Sequence, residues 1–294
     1  MAKTRHILKR AAAVGNIRTI TKAMQTVASA QFKLAHGRMA SFGPFAAELV
    51  ATVADVIARS PAEALDHPLL RVPEGVRHEV LLVLASERGL CGSYNRSVLE
   101  LAIHRHGQLR QAGYEVELHV VGRRGVQQLS SRGFEIARVH EDLSGVPEFA
   151  AVAALAESMM AELLAGRISG LEVAYTQFVS SGRQRAAIVP ILPLEDLPAP
   201  AATPSAADIP YDFMPSPGRI LRKLLPVTVR IKLYQCFLDA AAAEQLTRRT
   251  AMQAATDNAD DMIRDLRIRA NRQRQGQITR ELAEIASGQT GPGS

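Results

Sequence analysis

From Val227 to Gln275 the chain carries neither glycine nor proline. An uninterrupted helix over that window is ~73 Å long at 1.5 Å per residue. The other end reads the same way: Ala2 to Phe42 holds no proline and only Gly15 and Gly37, enough for a helix of ~60 Å. Globular helices usually stop after ~8–20 residues, so neither window fits against one ordinary core. The economical arrangement lays the two helices against each other, antiparallel, with a separate globular body inserted between them.

Apolar periodicity supports that arrangement. Ile7, Ala11, Val14, Ile17, Thr21, Met24 and Ala28 recur at steps of three and four, and Met252, Ala255, Ala259, Met262, Leu266 and Ala270 do the same. Each run predicts a narrow stripe of the coiled-coil kind rather than a broad buried face. Alanine lets the axes approach closely but buries little apolar area per layer. The competing reading is two amphipathic helices packed on the central body.

Composition sets the outer bounds. A chain of 294 residues holds one large or two small domains, and 47% hydrophobic residues exclude a disordered protein. No continuous apolar run reaches the ~18 residues of a bilayer span, so no membrane insertion is expected. Aromatic residues make up 4%, with no Trp, which suits a thin two-helix rod. Cys91 and Cys236 have neither the number nor the spacing of a disulfide framework or a zinc site; a reducing, cytosol-like compartment follows.

The net charge of +6 is unevenly spread. Lys3, Arg5, Lys9, Arg10, Arg18, Lys22, Lys33 and Arg38 precede the first acid, Glu48. Mitochondrial transit peptides are also basic and acid-poor, but serine is scarce here and the apolar stripe has its match at the far end. Basic helices also hold nucleic acid, yet no aromatic stacking residue lies beside the charges. A basic helix lying against acidic protein surfaces fits better, and no nucleic-acid partner is expected.

The middle of the chain has another grammar. His78–Ala85, Glu115–Val121, Gly133–Val139, Leu171–Val179 and Ala186–Ile191 read as strands. Asn95–Ala112, Arg124–Arg132 and Phe149–Leu164 read as helices. Strands alternating with helices predict a small α/β domain on a largely parallel sheet. The division expected is a first long helix over 1–58, an α/β domain over 76–195, a proline-rich connection over 196–217, a second long helix over 218–288 and a disordered tail over 289–294.

Catalytic signatures are missing. There is no G-x-x-x-x-G-K-[ST], G-x-G-x-x-G, G-x-S-x-G or H-E-x-x-H. His104 and His106 are two apart on a predicted helix, point to different sides and read as solvated. The segment Arg88-Gly89-Leu90-Cys91-Gly92 resembles a strand-to-helix turn whose glycines need only mean a tight backbone. Cys91 has no identifiable partner base. Neither catalysis, nor a cofactor, nor a metal is expected.

Four motifs stand in order at fixed separations: Ile20-Thr21-Lys22-Ala23-Met24, Ser86-Glu87-Arg88-Gly89-Leu90-Cys91-Gly92, Ala255-Thr256-Asp257-Asn258-Ala259 and Ile278-Thr279-Arg280-Glu281-Leu282. Together with Tyr211-Asp212-Phe213 they resemble the gamma subunits of F-type ATP synthases, over essentially the whole chain. The resemblance implies an antiparallel two-helix shaft with a Rossmann-like α/β foot that binds no nucleotide.

The resemblance also implies a mechanical role: rotation inside a head of alpha and beta subunits, coupling ion flow through a membrane ring of c subunits to ATP synthesis or hydrolysis. An epsilon subunit is the further partner, and the implied location is peripheral, on the cytoplasmic face of a bacterial inner membrane in preference to the matrix face of a mitochondrial one. Met24 matches the position that faces the beta levers, and Arg88 and Cys91 match a loop near them. Arg248, Gln275, Thr279 and Glu281 match polar positions that contact the surrounding head. Two departures stand out. Thr26-Val27-Ala28-Ser29-Ala30-Gln31 lacks the lysine usual there, and Gly276 replaces an alanine, costing ~1 kcal/mol of local helix propensity. The alternative from another class is a free coiled-coil scaffold, or a nucleic-acid-binding protein, with an α/β head.

Overall fold

The computed structural model describes residues 2–60, 67–194 and 216–288, without the side chains of 2–4, 281 and 284–288. Of the proline-rich connection expected over 196–217, residues 196–215 lie outside the described residues, as do the Tyr211-Asp212-Phe213 motif and the tail expected over 289–294, while Pro217 already belongs to the second long helix. Helix α1 spans Ala2–Arg59 and helix α5 spans Pro217–Gly288. Both run through a proline that the sequence reading left at or beyond the edge of its uninterrupted windows, Pro44 in α1 and Pro226 in α5. An interior proline removes one ladder hydrogen bond and costs ~3 kcal/mol. Burial offsets that cost, because Val53, Val56, Leu221, Leu225 and Val229 on the same helices enter one large core cluster.

By packing the chain divides into two compact units, Met1–Ala28 with Arg248–Ser294, and Ser29–Thr247. The first unit pairs the start of α1 with the end of α5. Three side-chain pairs fix an antiparallel register: Arg18 with Asp260, Thr21 with Thr256 and Gln25 with Gln253. Beyond them Ile7, Ala11, Val14, Ala259, Ile263 and Leu266 make an apolar cluster. The seam therefore steps through 7, 11, 14, 18, 21, 25 and 28 on one helix and 252, 256, 259, 263, 266 and 270 on the other, alternating four and three. Four expected seam positions are corrected. Ile17, at 54% exposure, and Met262, at 46%, give way to Arg18 and Ile263. The half-buried Met24 and Ala255 give way to Gln25 and Thr256.

The second unit carries a five-stranded sheet of β1 (His78–Leu84), β2 (Glu115–Val121), β3 (Arg138–Val139), β4 (Gly170–Ser180) and β5 (Arg183–Leu192), in the order β3-β2-β1-β4-β5. The first four are parallel; β5 returns antiparallel on β4. Helices α2 (Tyr94–Gln111) and α3 (Arg123–Ser130) belong to the face carrying Leu81, Val83, Leu118 and Val120. Helix α4 (Phe149–Leu164) covers the other face, where Val80, Leu82 and Val173 join the large core. Both faces of β1 are buried, as its continuous apolar run requires.

The strand expected over Gly133–Val139 shrinks to Arg138–Val139. Gly133, at φ 81°, closes α3, with its own N–H donating to Ser130 O and that of Phe134 to Leu129 O. Only beyond this turn can the chain join the sheet.

The expectation that no segment could cross a bilayer also needs correction. An 18-residue window of α1 reaches a mean hydropathy of 1.4 with no more than two charged residues, so length and composition alone admit a span there. Alanines raise the value, and Val53, Ala54 and Val56, near the end of the helix, are buried in this chain.

Candidate functional site

The loop between β1 and α2 is built from its buried polar groups outward. Ser86, fully buried, donates its N–H to Asn95 Oδ1 (2.9 Å) and its hydroxyl to Arg88 O (2.8 Å). Asn95 Nδ2 donates back to Ser86 Oγ (2.7 Å) and reaches Cys91 Sγ at 3.3 Å. Tyr94 donates its hydroxyl to Leu84 O (3.1 Å), tying the start of α2 to the end of β1. At the outer edge Glu87 pairs with Arg123 at 2.6 Å and accepts the Arg123 N–H. The loop is thus over-determined, which is the condition for holding strain.

The strain is at Leu90. Its φ of 64° is the left-handed region, and its side chain is 62% exposed. A non-glycine residue there costs ~1–2 kcal/mol, and here nothing is recovered by burying the side chain. Cys91, at 3% exposure, points inward instead, beside Ser86, Asn95, Tyr94 and Ala243. Arg88 is exposed and supplies its carbonyl to the loop. The residue this loop turns outward is Leu90, which the sequence reading used only as part of a motif. The signal that could have found it is the pair Leu90-Cys91 held between Gly89 and Gly92 in a tight turn, with the apolar Leu90 free to face outward.

The remaining expected site residues belong to the two-helix unit. Met24 is half-buried beside the seam. Arg248 is buried and engaged by the chain's own groups. Gln275 and Thr279 are exposed and share a helix face, with the Thr279 hydroxyl donating to Gln275 O at 3.0 Å. Glu281 is helical, its side chain outside the described residues. The structure brings Gln275 to Thr279 and Arg88 to Cys91 as neighbours. The two-helix unit also carries apolar side chains off the seam, including Ile20, Val27, Ile268 and Ile278, exposed at 48–61%.

The second unit has a further open groove of about 830 Å³, lined by Lys33, Phe42, Phe45, Phe149, Val227 and Tyr234 among others. Phe42 meets Tyr234 edge-on at 5.0 Å between ring centres, and Arg38 is ion-paired with Glu148 at its rim (2.6 Å). Of the two histidines read as solvated, His104 is exposed and bonded to Gln108, whereas His106 is half-buried, edge-on to Phe134. Burial, then Arg110, pushes His106 below its ordinary range.

What these residues offer is surface: apolar side chains on paired helices and one strained loop turned outward, the equipment of a subunit that works by contact. The family described as ATP synthase matches residues 3–291. The ATP synthase gamma chain of Rhodopirellula baltica is 39% identical, covering 98% of each chain. That of Saccharopolyspora erythraea is 34% identical, over 98% of this chain and 97% of its own. Among solved structures, a chain of the Euglena gracilis mitochondrial ATP synthase (OSCP/F1/c-ring) superimposes with a TM-score of 0.66 at 14% identity, covering 98% of this chain and 94% of its own. A chain of the Tetrahymena thermophila central stalk and c-ring gives 0.54 at 20% identity, covering 80% and 99%. The chain belongs to the ATP synthase family, as a gamma chain, the central-stalk subunit of F-type ATP synthases.

Proposed function

We propose that this chain is a non-catalytic rotor: it turns inside a head of alpha and beta subunits and couples ion flow through a c ring to ATP synthesis or hydrolysis. The observation that carries this reading is the two-helix unit, whose polar-paired seam leaves Ile17, Ile20 and Val27 on the outside of a slender helix pair. Such a pair presents different side chains in different directions. Turned inside a ring of identical partners, it holds each in a different conformer by differential contact. The groove beside Phe45 and Phe149 supports a seat for a companion subunit of the rotor, epsilon or the c ring. The cytoplasmic face of a bacterial inner membrane is the location consistent with the bacterial relatives.

Co-expression with alpha and beta subunits tests the reading. A stoichiometric complex with ATPase activity is expected, and failure of the three to co-purify overturns it. Within that complex Met24→Lys adds a cation beside the seam, where acidic lever residues would hold it. Hydrolysis should largely survive while ion pumping falls severalfold, measured by dye quenching in vesicles carrying the whole synthase. Unchanged pumping per ATP hydrolysed would reduce Met24 to seam packing.

Leu90 gives a second handle. Aspartate tolerates the left-handed region better than leucine, so Leu90→Asp should leave the melting temperature of the free chain unchanged or slightly raised. Coupled turnover of the complex should fall severalfold, because an apolar contact is replaced by a charge. Full turnover with the variant would mean that the loop tip meets only solvent.

A further inference from the structure

Four side chains form a continuous row across the parallel edge of the sheet. His78 Nε2 on β1 lies 3.2 Å from Glu117 Oε2 on β2, and the other oxygen of Glu117 lies 2.8 Å from His119 Nε2. His119 Nδ1 then lies 3.3 Å from Nε2 of His140, the residue after β3. His119, in the middle of the row, is only 3% exposed. Strand β3 is two residues long. Its flanks are held to β2 by the Ala137 N–H to Leu118 O (3.0 Å) and the His140 N–H to Val120 O (2.9 Å). Few bonds hold this edge, and the histidine row ties its side chains to strands deeper in the sheet.

We propose that the row is a proton-operated clamp on the β3 edge, closed while His119 and His140 share one hydrogen between them and released when both rings are fully protonated. The chemistry is proton uptake from water, with no covalent change. Each ring nitrogen either donates or accepts. The closed contact therefore needs one N–H facing one lone pair. Full protonation leaves two donors facing each other and two positive rings whose centres are 5.1 Å apart.

The surroundings set the direction. Burial, then the charge of His119, then that of Arg138, lower His140 to about 4. Burial opposes ionisation of Glu117, but His119 and His78 together hold its carboxyl below the ordinary range. Other charged groups near the clamp are Glu115 and Glu135, which line a small cavity with His78 and Glu117, and Glu141 and Asp142 in the turn after His140. On α4 there is Glu162, which is held by Arg167 and lies within the field of Arg138. Because the folded value for His140 is depressed from 6.5, the clamp's contribution is present above about that pH and is lost as the pH falls toward 4.

Hydrogen exchange of the full chain, read by mass spectrometry on a peptide covering 136–143 and corrected for intrinsic rates, tests the clamp. Between pH 7.5 and 5.0 the wild type should lose roughly 30-fold in protection there, ~1.5 pH units of proton linkage at tenfold per unit. His140→Phe keeps a ring at the edge and removes the titration, so its corrected protection should be flat across the same range. Should that variant fold poorly, imidazole nitrogen shifts of the wild type give an independent reading, with His140 expected to titrate well below the ordinary histidine range. Protection of 136–143 that does not change with pH overturns the clamp. So does an identical pH profile in His140→Phe, or a His140 that titrates at the ordinary value.

Discussion

Gly122→Ala should destabilise the chain by about 3 kcal/mol or more. Gly122 ends the turn from β2 into α3 at φ 89°, and a β-carbon there would lie 2.4 Å from Ala85 O and 2.7 Å from Ser86 C and O. Neither neighbour can retreat. Ala85 N–H donates to Val121 O, Ser86 O accepts from Arg124 N–H, and Ser86 is bracketed by Asn95. The left-handed backbone costs ~1–2 kcal/mol for an alanine, and forcing a methyl into closed packing adds ~1–3 kcal/mol. At ~2–4 °C per kcal/mol for a protein of this order of size, the melting temperature should drop by roughly 6–12 °C. The loop that presents Leu90 begins at the displaced Ser86, so assembly with alpha and beta subunits should weaken too. Thermal melting by circular dichroism and co-purification read the two effects. A melt within ~1 °C of wild type would show that the β1 and β2 ends can separate at little cost.

Asp239→Asn should remove a pH dependence of a few kcal/mol. Asp239 is buried on α5, and burial alone raises its carboxyl from 3.8 to about 7. Its ionised form would also face Tyr175 and Cys236, a buried hydrogen-bonded pair. Burial is the first cause that pushes the Cys236 thiol up to about 12 and the Tyr175 hydroxyl above its ordinary value. Because the folded chain holds the Asp239 proton more tightly than the unfolded chain does, stability falls as the pH rises from about 4 to about 7 and is level above. Each pKa unit is worth 1.36 kcal/mol, so the upper bound is ~4 kcal/mol. Between pH 5 and pH 8 the wild type should lose roughly 5–10 °C of melting temperature relative to Asp239→Asn. Asparagine keeps the shape and cannot ionise; its amide can lower stability at every pH, so the difference between the two profiles is the readout. Parallel profiles would mean that Asp239 is solvated or paired when charged.

Most of the secondary structure was legible because it rests on local rules. A long window free of glycine and proline has no place for a helix to stop, and the apolar run of β1 needs cover on both faces. Helices α2 and α4 and strands β1 and β2 stand within a residue of where periodicity put them. The motif Ser86–Gly92 also pointed to the loop that does carry backbone strain.

What only the tertiary structure decided is which side of each element meets which neighbour. On the long helices, 14-17-21-24-28 and 14-18-21-25-28 are both legitimate alternations of three and four. Apolarity favours the first, with Ile17 and Met24. The fold takes the second, because Arg18, Thr21 and Gln25 each find a polar partner in Asp260, Thr256 and Gln253. A buried hydroxyl pair is worth ~1 kcal/mol once made and costs ~1–3 kcal/mol if left unmade, so partners remote in sequence overrule the apolar count. The same reason hid the clamp and the buried acid: His78 comes from β1, Glu117 and His119 from β2 and His140 from just beyond β3, and Asp239 reads as an ordinary polar helix residue until β4 covers it. A residue's own chemistry dictates the element it joins, whereas its charge state and its neighbours follow from burial, which exists only once the chain has folded.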